Sequence, residues 1–413
     1  MKRRVVITGV GVVTPLGVGV EKSWQSLCQG KSGIGMVTRF DASDFRTRIA
    51  GEVNGFNPLD FMDRKLARRG GRFIHFALAA ARMAIEDSGL AINASNSERV
   101  GVSVGTAMGG VESFEENQQL LLRGARHQIS PFFIPSFLPN MAPGQVAIQF
   151  GARAANMCSV TACASGTHAI GNAFRVIQLG EADAMIAGGA EAAITPVIFA
   201  GLDVLKVMSA RNEEPEKASR PFDRERDGFV IGEGAGMVIL EELESALSRG
   251  AKIYAEVSGY GFNSDAYHIT APDPSGEGAA SCMKMALSDA GISIDKVDYI
   301  NAHGTSTVLN DISETRAIRS VFKKQSNGIP VSSIKSMIGH LWGGAGVVEA
   351  ISCLLTIKQG IIPPTINYET PDPECNLDYV PNVARQAKVK AALSNSFGFG
   401  STNATLIFGQ FPA

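Results

Sequence analysis

Residues 2–17, KRRVVITGVGVVTPLG, and residues 251–266, AKIYAEVSGYGFNSDA, follow one order: a basic lead, an apolar run and a glycine-containing turn. After each, helical patterns alternate with further apolar strands, so the chain reads as an internal duplication of βα units. Such a repeat constrains the fold strongly. Alternating strands and helices call for an α/β architecture, and the continuous apolar run Val5–Val13 suits a strand buried on both faces. The halves 1–250 and 251–413 are separated by no low-complexity linker, which predicts that they share an interface.

Taken in order, FIHFALAAARMAIEDSG predicts an amphipathic helix over Phe73–Gly89, and Val100–Val104 a strand running into GTAMGG, which turns Met108 toward a cavity. SPFFIPSFLPN carries prolines at 131, 135 and 139 and excludes a regular helix. TACASGTHAIGNAFRVIQLG then places Cys163 just ahead of a helix whose apolar face is Ala169, Ile170, Ala173, Phe174 and Ile177, closed at Gly180. A cysteine among Ala and Gly is commonly a small buried hydrophobe. At a helix N-terminus it is also a candidate nucleophile, because a free thiol titrates at about 8.5 and the positive helix end lowers that value. The second reading predicts a thiolate-favouring site.

In the second half, VDYINAHGTST delivers His303 at a strand end, where α/β sheets place ligands. VSSIKSMIGHLWGGAG delivers Lys335 and His340 ahead of a helix, and ALSNSFGFGSTNATLIF sets Phe399 in a glycine-rich loop between strands. With 38 basic against 40 acidic residues, nucleic acid is not the expected partner. Six cysteines without framework spacing predict free thiols in a reducing, cytoplasmic setting, and no run reaches the length of a membrane span. The basic, apolar N-terminus is read as a buried strand rather than a signal peptide, because Gly9, Gly11 and Pro15 interrupt it. A closed zinc site needs four ligands, which no local spacing supplies. A cysteine hydrolase needs one histidine and leaves the second, with Lys335, unused. Carbon–carbon bond formation of the Claisen type uses a thiolate to hold an acyl group and two neutral imidazoles to stabilise an enolate oxygen.

TACASG, NAHGTST, KSMIGH and NSFGFGSTN, with PFDRERDGFVIGEGAG at 221, resemble the β-ketoacyl-[acyl-carrier-protein] synthase family across the whole chain. The resemblance is greatest to its elongating type II members. It implies a thiolase-like fold of two duplicated halves in five αβαβα layers, usually a homodimer, with a heterodimer of related subunits as the alternative. It implies decarboxylative condensation of an acyl group on Cys163 with malonyl carrier protein, without cofactor or catalytic metal. His303 and His340 then act at the enolate, and the N–H groups of Cys163 and Phe399 form an oxyanion hole. Lys335 with Asp311 and Glu314 orders the histidine loops. Phe399 gates the site, and Thr305 and Thr307 bind the pantetheine arm. Met108 and Phe137 wall the acyl pocket, Phe137 coming from the partner subunit. Lys65, Arg68, Arg69 and Lys206 resemble a dock for an acidic carrier protein, and Asn301, Glu349, Ser394 and Asn395 a structural cation site. Val308 and Ser401 depart from the proline and glycine common in the family, and Ser401 is expected to stiffen the gate. A specialised polyketide or polyene synthase stays open. A degradative thiolase would carry a second catalytic cysteine near its C-terminus, a starter-type synthase an asparagine for one histidine, and a non-catalytic partner no nucleophile.

Overall fold

The computed structural model describes residues 2–412. Ten strands form its main sheet: β1 (Val5–Thr14), β2 (Val100–Gly105), β3 (Asn156–Ser159), β4 (Ala184–Glu191), β5 (Gly234–Glu242), β6 (Ala255–Ser264), β7 (Tyr299–Asn301), β8 (Val331–Ser332), β9 (Ala391–Gly398) and β10 (Thr402–Gly409). An eleventh, Gly17–Val18, folds back on β1. The order β8-β7-β9-β10-β6-β1-β5-β4-β2-β3 contains the duplication. Counted within its own half, each block runs first-fifth-fourth-second-third. In each, the first three strands are antiparallel neighbours and the last three parallel. The blocks meet where β1 touches β6 over two pairs, Val6 with Glu256 and Ile7 with Ala255.

Alternation along the strands separates the layers, because successive side chains point to opposite faces. On β4, Met185 and Ala187 join a central core containing Ile170 and Phe174 of α2 (Ser165–Gln178) and Val347 and Ile351 of α5 (Ala345–Gln359). Their neighbours Ala184 and Ile186 face outward to α1 (Arg72–Ser88), which buries Phe73, Phe76 and Ala80. In the second block, Ile300, Leu393 and Ile407 face α3 (Glu277–Ala290) and α4 (Val308–Phe322) through Met283, Leu287, Ile318 and Phe322. The result is helix, sheet, helix pair, sheet, helix: five layers with α2 and α5 back to back in the middle.

Gly17 follows the two-residue turn Pro15–Leu16 and pairs with Thr14, but the glycines inside the two opening strands do not turn the chain. β1 passes straight through Gly9 and Gly11, where an added Cβ would lie 2.2 Å from the carbonyl oxygens of Ala84 and Ala80 on α1. Gly259 and Gly261 of β6 do the same for α3, 2.4 and 2.3 Å from the carbonyls of Ala286 and Cys282. They are there for close helix approach, twice over.

Candidate active site

The chain leaves β3 and enters a single 3₁₀ turn, Ala162–Ala164, before α2 begins at Ser165. Ala162 sits in the left-handed region at φ 48°. The turn is held by Ser165, whose hydroxyl accepts from Thr161 N (2.9 Å) and donates to Ala162 O (2.7 Å). Cys163 is thereby fixed, buried, ahead of the positive end of α2. Burial works against the thiolate-favouring expectation. Burial pushes the Cys163 thiol up to about 12, and Lys335 with the backbone N–H groups of Phe399 and Cys163 offsets this only in part.

His303 follows the short strand β7. Its backbone N–H and that of Gly304 donate to the two carboxylate oxygens of Glu314 on α4, both at 2.8 Å, and Asn395 Nδ2 donates to Glu314 at 3.1 Å. Burial pushes Glu314 up to about 7 against those donors. Glu314 thus orders the histidine loop through the backbone. Lys335 does so differently from the expected triad with Asp311 and Glu314. Its ammonium pairs with buried Glu349 of α5, donates to His303 O at 2.6 Å and lies 3.4 Å from His303 Nδ1. Asp311 turns to Arg226 (3.5 Å) and accepts from Phe222 N (2.8 Å), bracing the PFDRERDG segment against α4.

These contacts assign the imidazole tautomers. Trp342 N donates to His340 Nδ1 at 3.2 Å, so a neutral His340 carries its proton on Nε2, which has no partner among the described residues. An ammonium has donors only, so His303 Nδ1 accepts from Lys335 and Nε2 again holds the proton. Burial, then the charge of Lys335, holds both rings well below the usual histidine range and hence neutral. The rings stand nearly perpendicular with centroids 5.4 Å apart. One ring nitrogen from each and Cys163 Sγ all lie within 4.8 Å of one another, the spacing of a nucleophile and two donors around one carbonyl.

A cavity of about 280 Å³ opens over these groups, lined also by Thr305, Thr307 and Phe399, with Lys206 at its wall. The hydroxyls of Thr305 and Thr307 are 2.9 Å apart. Gly398 has no side chain where a Cβ would lie 3.2 Å from Cys163 N, which keeps the space over the Cys163 N–H open. Met108 packs at the edge of the apolar cluster that holds Cys163, Phe199 and Trp342. Phe137 lies outside the cavity lining, stacked on Phe133 at 5.2 Å. Lys65 and Arg68 are exposed, and Arg69 lies over the Phe132 ring at 4.5 Å. In the suggested cation site Asn301 Oδ1, Glu349 Oε2 and Ser394 Oγ are buried and have no hydrogen-bond partner among the described residues, as orphaned ligands would. The Asn395 side chain is already engaged with Glu314 and Thr405.

Two family models match the chain, the N-terminal domain of beta-ketoacyl synthase over residues 2–246 and its C-terminal domain over 254–369. The chain belongs to the beta-ketoacyl synthase family. It is 53% identical to 3-oxoacyl-[acyl-carrier-protein] synthase 2 of Synechocystis sp. and 52% identical to that of Coxiella burnetii, each over 99% of both chains. A beta-ketoacyl synthase from Burkholderia phymatum superposes with a TM-score of 0.93 at 36% identity. A type II polyketide ketosynthase, solved with its acyl-carrier protein and bound to a hexaketide, gives 0.92 at 38%, and both cover all of each chain. The chain is an acyl-condensing enzyme of this family.

Two residues of this synthase carry site geometry that the sequence reading did not single out. Trp342 stacks on His340 (5.6 Å, 13°) and meets Phe399 edge-on at 6.4 Å. Its signal was available in HLWGG, a bulky ring between two glycine-rich stretches. Glu191 ends the apolar strand ADAMIAGGAE, and a carboxylate at the end of a buried strand is costly without partners.

Proposed function

We propose that this synthase condenses an acyl group held on Cys163 with malonyl-acyl carrier protein to give 3-oxoacyl-acyl carrier protein, elongating the chain by two carbons. The observation that carries the reading is the convergence of Cys163 Sγ with two neutral imidazoles, each positioned to donate from Nε2. In the first step Cys163 Sγ attacks the incoming thioester carbonyl. Its oxygen is held by the N–H groups of Cys163 and Phe399, and the cysteine proton leaves with the carrier thiol. In the second step malonyl carrier protein enters along Thr305 and Thr307. His303 and His340 donate to its thioester oxygen, the carbon–carboxylate bond breaks, and carbon dioxide departs as the electron pair becomes an enolate. The enolate carbon attacks the Cys163 thioester, and collapse of that tetrahedral centre expels the Cys163 thiolate. Lys335 positions His303 throughout.

The same reading assigns Lys65, Arg68, Arg69 and Lys206 to carrier-protein docking and Asn301, Glu349 and Ser394 to a structural cation. It divides the chain near residue 250, makes the enzyme a homodimer and places it in the cytoplasm. All six cysteines are free, and no helix among the described residues is long and apolar enough to cross a membrane. The polyketide ketosynthase among the structural relatives supports a second reading, extension of an oxygenated chain. Purified enzyme offered malonyl carrier protein with a ladder of saturated and 3-oxoacyl carrier proteins separates the two. The expected outcome is a 3-oxoacyl product from saturated primers, read by mass spectrometry and lost in Cys163→Ala. Turnover of the oxygenated primers alone would favour the second reading, and no product from folded enzyme would sink both.

A further inference from the structure

The duplication places a second copy of the turn that carries the nucleophile beside the first, the turns that open α2 and α5 touching one another. In the first half, the nucleophile turn is Ala162-Cys163-Ala164, opening α2. In the second, the 3₁₀ turn Trp342-Gly343-Gly344 opens α5, and its first residue has the same φ of 48° as Ala162. Gly343 therefore stands where Cys163 stands. The fourth strand of each half closes the comparison: β9 ends at Gly398, paired with Thr402 at the start of β10, and β4 ends at Glu191, paired with Gly234 at the start of β5.

At the reacting copy, position 398 is bare, and the N–H groups of Cys163 and Phe399 face the thiol across open space. At the other copy the corresponding position is filled. The Glu191 carboxylate, fully buried, accepts from Gly343 N (3.2 Å), Ala107 N (2.6 Å), Met108 N (3.3 Å) and Thr106 Oγ1 (3.1 Å). No salt-bridge partner reaches it among the described residues. Four convergent donors around a buried anion make an anion nest. An unfilled nest of buried N–H groups would be unfavourable, because each would have lost water without gaining a partner.

We propose that Glu191 is a positioning residue whose carboxylate is the built-in anion of this duplicated nest, locking the Trp342–Gly344 turn to the loop that carries Met108. The lock reaches the chemistry by two contacts. Gly343 is held by Glu191, and the adjacent Trp342 N–H fixes His340 Nδ1 and so aims Nε2 at the substrate oxygen. On the other side, the anchored Met108 borders the apolar cluster around Cys163. Acyl-pocket wall and decarboxylation donor are thus tied to one carboxylate. The burial that pushes Glu191 up to about 7 is the cost of keeping an anion there.

Chemical rescue tests this on the full-length enzyme and rests, for its kinetic arm, on the condensation proposed above. Glu191→Ala empties the nest. It is expected to lose turnover by about 10- to 100-fold, the usual effect of removing an orienting partner, with a smaller change in KM for acyl carrier protein. Sodium formate should restore turnover saturably, and sodium chloride at equal ionic strength should not. Glu191→Gln keeps the nest filled but sets an amide N–H among donors, so its turnover should fall and formate should not help. Formate, measured against chloride, should also raise the melting temperature of Glu191→Ala and leave the wild type unmoved. Wild-type turnover in either variant overturns the proposal. So does a loss in Glu191→Ala that formate leaves untouched with no formate-specific melting shift. If Glu191→Ala does not fold, wild-type turnover by Glu191→Gln alone overturns it. A wild-type enzyme inactive in the same assay counts against the condensation reading, and the melting shift then decides the nest.

Discussion

One thiol and two imidazoles gather within 4.8 Å, and burial favours the neutral form of all three. For the histidines neutrality is useful. A neutral imidazole with its second nitrogen occupied offers one N–H of fixed direction, and it cannot take the thiol proton to form an ion pair that would quench both groups. For the cysteine, burial outweighs Lys335 and the backbone N–H groups of Phe399 and Cys163, which favours the thiol at rest. A thiol pushed up to about 12 has a small thiolate fraction near neutrality that rises tenfold with each pH unit. Alkylation of Cys163 by iodoacetamide, scored by peptide mass spectrometry against Cys163→Ala, should therefore keep accelerating with pH from 6 to 9.5. A plateau near or below the ordinary cysteine value of about 8.5 would mean that the positive end of α2 wins in solution.

At the level of elements, the turn that carries Phe399, the expected gate, is tied down by the Ser401 side chain. Ser401 sits at φ 62°, a conformation that costs a non-glycine residue about 1–2 kcal/mol. What holds it is the opposing loop. Its hydroxyl donates to His268 O (2.9 Å) and accepts from Tyr267 N and His268 N (both 3.3 Å), while Gly400 N donates to Ile269 O at 2.8 Å. Ser401→Ala keeps the strain and removes the tie, so it should lower stability by about 1–3 kcal/mol. Amide exchange at 267–268 and 399–401 should quicken together. Exchange that quickens in one loop alone would mean they are not joined through this hydroxyl. Position 401 was legible as a departure from the family pattern, but the partners of its hydroxyl were not, since no local pattern places residues 267–269 beside it. The same divide runs through the site. Cys163, His303 and His340 announced themselves because each follows an apolar strand and precedes a glycine-rich turn. The pairing of Lys335 with Glu349, and of Asp311 with Arg226, depends on which helix α5 and α4 face, which spacing along the chain does not carry. The repeat was legible as an echo of two strands. The turn expected after β1 is there, at Pro15–Leu16 ahead of Gly17, whereas Gly259 and Gly261 lie inside β6 rather than in a turn, because Gly in a strand also marks close backbone approach.

For the whole molecule, the main unfinished business is the edge at β3. It pairs with β2 on one side and is the last strand of the sheet, so its other side presents free backbone groups. Apolar side chains continue the edge: Val160 beyond the strand, Ile148 on the helix Met141–Phe150 and Ile134 in the Phe133–Phe137 helix are 53%, 76% and 53% exposed. The helix Met141–Phe150 packs on β3 and on Phe133–Phe137, which in turn packs on Val111–Leu122, so these elements extend outward from the edge. Exposed apolar area joined to an open strand edge is what a two-fold interface buries, each copy meeting the same patch on the other. Phe137 lies outside its own cavity lining, in the same Phe133–Phe137 helix as exposed Ile134. Light scattering should find a dimer for the wild type. Ile148→Glu with Val160→Glu should shift it toward monomer, because burying two carboxylates without partners is strongly unfavourable. If Phe137 reaches the partner's acyl pocket, that monomer should also accept a different range of primer lengths from the wild type. A double variant that stays dimeric would place the interface elsewhere, and a monomer with the wild-type primer profile would confine each acyl pocket to its own chain.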